Sequence, residues 1–242
     1  MSSHKIKSVT LPEKPQTFLA WLLRPPAELR TTILEHVLGT ATTQRVFLNG
    51  NRHSSPTGPT MFSLAEAAHG VNDQLFGETL VLGFKRTIIE VHSGPGNTKL
   101  QAWLADQDLS GMGEGMTNGF DAVHTLEFRF PHRNPRITSK MDIGLMVKCK
   151  NLKHVTIDFD EHELHYPVPE ALPAVVLRER YRLDEILKLQ NLRYLKIQVP
   201  FYLGLYEVWG VRELAVWFKK EFKKLGMEVD VWAGGWQAPK SE

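Results

Sequence analysis

The densest group of side chains able to do chemistry is DFDEHELH, Asp158 to His165, which sets four carboxylates and two imidazoles within eight residues. Divalent cations take such oxygen and nitrogen ligands. The spacing does not fit a helical HExxH site, because His162 and His165 are three apart. Following a strand candidate, the run reads as a solvated acidic loop, and no metal is expected. SGPGNTK, Ser93 to Lys99, joins a strand to a helix, where backbone amides can hold phosphate. It lacks the GK[ST] ending of a P-loop and the third glycine of a dinucleotide fingerprint, so no cofactor is expected. Cys149 stands between Lys148 and Lys150, which would lower a thiol pKa, yet it falls on the apolar side of a helix with Leu145 and reads as core. No G-x-S-x-G elbow is present and no catalytic set can be named. FYLGLY, Phe201 to Tyr206, follows a strand end and is either a loop packed on the last helix or an aromatic binding surface. In FKKEFKK, Phe218 to Lys224, the phenylalanines share an apolar face and the lysines a solvated one.

Alternating and helical periodicities place these residues. Strand candidates are Arg45 to Leu48, Lys85 to His92, Val123 to Phe130, Leu152 to Phe159, Leu192 to Val199 and Met227 to Val231. Helices are predicted around Leu100, Trp103 and Leu104 with Asn97 as cap, from Ser139 with Asp142 through Leu145 and Cys149, through Val176, Leu183 and Leu187, and from Val211 to Leu225 with Gly226 as stop. Ser63 with Glu66 forms a capping-box pair ahead of a further helix that continues into VNDQLFGETL. SGMGEGMTNG, Ser110 to Gly119, reads as a flexible connection.

The strands repeat. Val123, Leu126, Phe128 and Phe130 superimpose on Leu152, Val155, Ile157 and Phe159, and these on Leu192, Leu195, Ile197 and Val199, with Asn151-Leu152 and Asn191-Leu192 sharing a dipeptide. Irregular helix-strand units of this size predict an α/β fold with a leucine-rich-repeat-like, largely parallel sheet, each unit covering the apolar face of the one before.

At 242 residues, 42% hydrophobic and 23% charged, the composition is that of a globular chain. A balance of 29 basic against 27 acidic side chains makes nucleic acid an unlikely partner. One cysteine excludes an intramolecular disulfide, and a polar N-terminus with no long apolar run leaves no membrane partner and a cytoplasmic or nuclear location as the expectation. The expected division is a flexible tail at 1–16, a helical head at 17–84 and an α/β body at 85–242.

LLRPPAELRTTILEHVL, Leu22 to Leu38, begins the head. Pro25 and Pro26 preset φ at a helix start, Leu29, Ile33 and Val37 recur every four residues, and Gly39 ends the run. With Leu22, Leu23, Arg24, Pro26, Glu28, Leu29, Arg30, Ile33, Glu35 and Leu38, this stretch resembles the opening helix of fungal F-box-like proteins. Val71, Gln74, Leu75, Glu78 and Leu80 match a second stretch of that family in the right order. Pro25 and Thr31 depart from the pattern. The resemblance implies F-box-like helices that bind the Skp-type adaptor of cullin-based ubiquitin ligases, with Leu22, Leu23, Pro26, Leu29, Ile33 and Val37 as the partner-binding residues. It also implies a body that holds an unknown protein target. The expectation is therefore a protein-protein interaction module and not an enzyme. The alternatives are a stand-alone scaffold or host-modulating protein with no ligase role, and an enzyme on an unrecognised scaffold.

Overall fold

The computed structural model describes residues 21–37, 44–49, 52–54, 72–92, 95–113, 115–129, 143–159, 173–200 and 209–236. After a turn closed by Arg24 N–H on the Trp21 carbonyl, helix α1 runs over Ala27–Val37, with Glu28 in its first turn and His36 in its last. The paired prolines thus stand directly ahead of the helix, at the entrance they were expected to set, and Leu22 precedes it. Strands β1 (Gln44–Asn49) and β2 (Arg52–Ser54) follow. Helix α2 (Asp73–Arg86) starts on Asn72, whose side chain accepts from the Leu75 amide at 3.1 Å. The expected Ser63 and Glu66 cap lies outside the described residues. Lys85 and Arg86, read as strand, instead end α2, where cations suit the helix dipole.

Then come β3 (Thr87–His92), α3 (Pro95–Asp106), the short α4 (Gly119–Ala122), β4 (Thr125–Arg129), a helical segment at 143–148 and β5 (His154–Asp158). The chain continues with α5 (Ala174–Tyr181), a 3-10 helix (Leu183–Lys188), β6 (Tyr194–Pro200), α6 (Trp209–Lys224) and β7 (Asp230–Trp236). Helix α3 begins two residues before Asn97, so Asn97 is buried inside it, where its Oδ1 accepts from Gln101 Nε2 at 2.7 Å. The helix expected through Val176 to Leu187 breaks at Arg182, whose φ of 54° is left-handed.

The seven strands lie in the order β2-β1-β3-β4-β5-β6-β7. Apart from β2, which pairs antiparallel with β1, every neighbour is parallel. From β3 to β7 each crossover adds the next strand on the same side, so this part of the sheet is wound one way, while β2 lies on the other side of β1. The sequence repeat is the spatial register: Ile89, Leu126, Val155, Leu195 and Val231 stand abreast, as do Val91, Phe128, Ile157, Ile197 and Ala233. Together with Phe84, Leu100, Leu104, Leu145, Cys149, Leu177, Tyr181, Leu214, Phe218 and Phe222 they form the main core. The described helices therefore cover one face of the sheet.

A repeated side-chain bond ties the units together. Asn151 Nδ2 donates to the Asp121 carbonyl at 2.8 Å, and Asn191 Nδ2 to the Lys150 carbonyl at 2.9 Å. Lys150 is the residue equivalent to Asp121 one unit on. The loop between α3 and α4 is closed, not the flexible connection that its glycines suggest: the Asp121 carboxylate accepts from the Thr117 amide and hydroxyl and from the Asn118 amide. Met112 packs on Gly77, where a Cβ would stand 2.9 Å from its sulfur.

Candidate functional site

Two surfaces stand out, one on the head and one on the sheet. In the head, Leu22, Leu34, Leu75 and Leu82 form a small second core, with Leu23, Ile33 and Phe76 packed against it. Arg30 joins α1 to α2: its Nε and Nη2 donate to the two carboxylate oxygens of Glu78 at 3.0 and 2.7 Å, and its Nη1 to the Pro25 carbonyl at 2.8 Å. Gln74 Nε2 also donates to Glu78, at 3.0 Å. A bidentate pair of this kind holds both distance and angle between two helices.

Of the expected partner-binding residues, Leu22 is buried within the head, and Leu23 and Ile33 are half-buried against its core. Pro26 is exposed and Leu29 is 56% exposed, and Trp21, which spacing did not single out, is 45% exposed. The Val37 side chain lies outside the described residues. The buried stripe of α1 thus runs through Arg30 and Leu34, which turns Leu29 to solvent.

On the sheet, the positions alternate to those of the core carry polar and aromatic side chains. Glu90, Glu127, Thr156, Lys196 and Trp232 form one row, and Thr125, His154, Tyr194 and Asp230 the row below. His154 and Tyr194 rings are 6.3 Å apart, and Lys196 Nζ lies 5.1 Å from the Trp232 ring. Trp232 lies across Gly234, where a Cβ would meet its ring at 2.6 Å, so the glycine is what lets the indole lie down. Below these rows the chain enters β4 on His124, β5 on Lys153 and β6 on Arg193, while Lys85 lies in the last turn of α2. The His124 carbonyl accepts from the amides of Lys153 and His154, and that of Lys153 from Arg193 and Tyr194, which sets these residues at a regular step.

Burial and neighbouring charges act on the titratable groups there. Burial, then Lys153, Lys85 and His154, push the His124 imidazole down to about 4, and burial with Lys153 lowers His154. Burial and then Asp230 raise the Tyr194 phenol. The spacing of His124, Lys153 and Arg193, at sequence offsets of 29 and then 40, hides this group in the sequence. The offsets that align the apolar repeats would have found it.

Other candidates fall away from chemistry. Cys149 is buried and its thiol is raised by burial, as a core residue is. Phe218 and Phe222 are buried, while Lys219, Lys220, Lys223 and Lys224 are exposed. Of DFDEHELH only Asp158 and Phe159 are described; the rest, like Ser93, Gly94 and FYLGLY, lies outside the described residues. Among the described residues no group of three or more His, Cys, Asp or Glu is placed to hold a metal ion, and no helix is long and apolar enough to cross a membrane.

The fold and these surfaces define a class: an α/β protein with a mostly parallel sheet and, among the described residues, a head in which α1 packs on α2. No family model, no curated protein and no solved structure matches the chain.

Proposed function

We propose that this protein is a non-enzymatic interaction module of the F-box-like type, its head binding a Skp-type adaptor and its leucine-rich-repeat-like body holding a protein target for ubiquitin transfer. The observation that carries the reading is the meeting of Arg30, Gln74 and Glu78, because each belongs to one of the two stretches on which the family resemblance rests. Two distant motifs that close on one another behave as one structural unit. Support for the body comes from the asparagine bonds and the one-way winding, which are what stacked repeats require. Among the described residues of the head, Leu29, Pro26 and Trp21 are large or rigid apolar residues left to solvent, and they are the surface an adaptor would cover.

Copurification with a Skp-type adaptor tests this. Wild type retains the adaptor, and Leu29→Asp, a change at an exposed position that leaves the fold intact, weakens retention about tenfold or more. Failure of folded wild type to bind any Skp-type adaptor sinks the ligase role. A stand-alone scaffold then becomes the better reading, and Pro25 favours it: proline replaces the family's leucine there, and its carbonyl is tied to Arg30.

A further inference from the structure

We infer that the outer edge of β7 takes up an extended, alternately acidic segment of a partner protein as a further strand, beneath the basic flank of α6. The inference says how the body holds its target and rests on that half of the function proposed above. In the parallel ladder the Asp230 amide donates to the Arg193 carbonyl at 2.9 Å, so Asp230, Trp232 and Gly234 direct their backbone groups at β6. Val231, Ala233 and Gly235 therefore aim theirs outward, donor and acceptor alternating along the strand. Among the described residues no strand lies on that side. Such an edge pairs with another extended chain through the backbone alone.

Helix α6 decides what that chain carries. Its buried stripe is Val211, Leu214, Phe218 and Phe222. Its α5-facing side is fixed by Trp217, whose ring lies 3.8 Å from the Arg178 guanidinium, and by Glu213, which accepts from the Ala174 amide at 3.4 Å. Helical periodicity then puts Arg212, Val216, Lys219 and Lys223 on the side opposite α5, and all four are exposed, Val216 at 67%. Because α5 connects β5 to β6 and α6 packs on β7, that flank overhangs the outer edge. From Arg212 to Lys223 it runs about 16 Å beside a strand of about 20 Å. Lys224 pairs with Glu221 at 2.7 Å on the α5 side, whereas Lys219 and Lys223 have no carboxylate beside them among the described residues. Carboxylates on the helix-facing side of an added strand supply one. The nearby acids, Glu228 just before the strand and Asp230 on the Trp232 side, leave the helix side of the edge to the lysines. On the Trp232 side an apolar side chain has the half-open indole to lie against. A second copy set edge to edge would bring one lysine flank against another, so the occupant is a different chain.

Fluorescence anisotropy of the full chain with a labelled Glu-Val repeat peptide of about ten residues tests the proposal. The expected result is a Kd of about 100 µM at low salt, weakened about threefold at about 0.3 M salt. Lys219→Glu with Lys223→Glu, two exposed changes, weakens it about tenfold or more. Ala233→Pro removes an outward donor, leaves the bonds to β6 in place and weakens binding about as much, and circular dichroism checks the folding of both variants. A peptide of the same composition with its glutamates in one block binds about fivefold more weakly, because alternation between the two sides is lost. Leu29→Asp leaves binding unchanged, which separates this edge from the head. Absence of binding to folded wild type overturns the proposal, as does equal binding by either folded variant or of the block peptide. Self-association of wild type that Ala233→Pro abolishes overturns it in favour of a second copy. Adaptor retention without peptide binding removes this edge and leaves the head, whereas peptide binding without adaptor retention removes the ligase role and leaves the edge.

Discussion

His124 shows how a residue that no motif marks becomes informative once its neighbours are known. Its imidazole is half-buried at the start of β4 and faces Lys85, Lys153 and His154, so the folded chain takes its proton only near pH 4. The unfolded chain takes it near 6.5, so between these values the unfolded state binds more protons. The penalty is absent above about pH 6.5, grows as pH falls and is complete below about 4. Solvent screening at this half-exposed site reduces it to about 1 kcal/mol. Urea midpoints followed from pH 7.5 to 4.5 should fall more steeply for wild type than for His124→Asn, by about that amount. Parallel curves would mean that the imidazole is not held neutral by its surroundings.

At the scale of elements, the strands were the most legible part of the sequence. Val123, Leu126 and Phe128 recur in Leu152, Val155 and Ile157 because each strand buries the same alternate positions against the same layer. The paired asparagines were visible too, as a repeated dipeptide, but their partners were not, since a bond to the Asp121 or Lys150 carbonyl depends on stacking and not on local sequence. The role of β1 was hidden for a related reason. RVFL is short and lies within the expected head at 17–84, yet parallel pairing from Gln44 with Thr87 to Leu48 with Val91 puts it in the sheet of the body. In α1, periodicity marked the helix and missed which stripe is buried, because Arg30, a charged residue, takes an inward position by pairing with Glu78. The strand-start group escaped altogether, since long sequence separation hides neighbours that register makes adjacent. The asparagine bonds predict an order of effects. Asn151→Ala loses a bond at a half-buried position and should lower stability by about 1–2 kcal/mol, whereas Asn191→Ala, exposed, should cost about half as much or less. Equal and negligible losses in urea denaturation would show that stacking of the apolar rows alone holds the units together.

Across the whole molecule, α2 decides how head and body depend on each other. It gives Leu75 and Leu82 to the small head core and Leu80, Val81 and Phe84 to the main one. Among the described residues the head core holds four buried leucines, too few to hold α1 and α2 together alone, so α1 takes its stability from an α2 that the body keeps in place. The body, with its rows of apolar side chains and a shared helix layer, does not need the head in return. The coupling is therefore one-sided. Leu34→Ala, in the head core, should open α1 at a cost of about 2–5 kcal/mol while β4, β5 and β6 keep their amide protection. Phe84→Ala, where the ring meets Trp103 at 6.1 Å in the main core, should cost about 3–5 kcal/mol and lower the protection of β3 and of α1 together. Hydrogen exchange read by segment distinguishes the two patterns. Protection of α1 that survives Phe84→Ala would make the head an independent unit, and α2 would then be a tether where these contacts make it the shared wall of both cores.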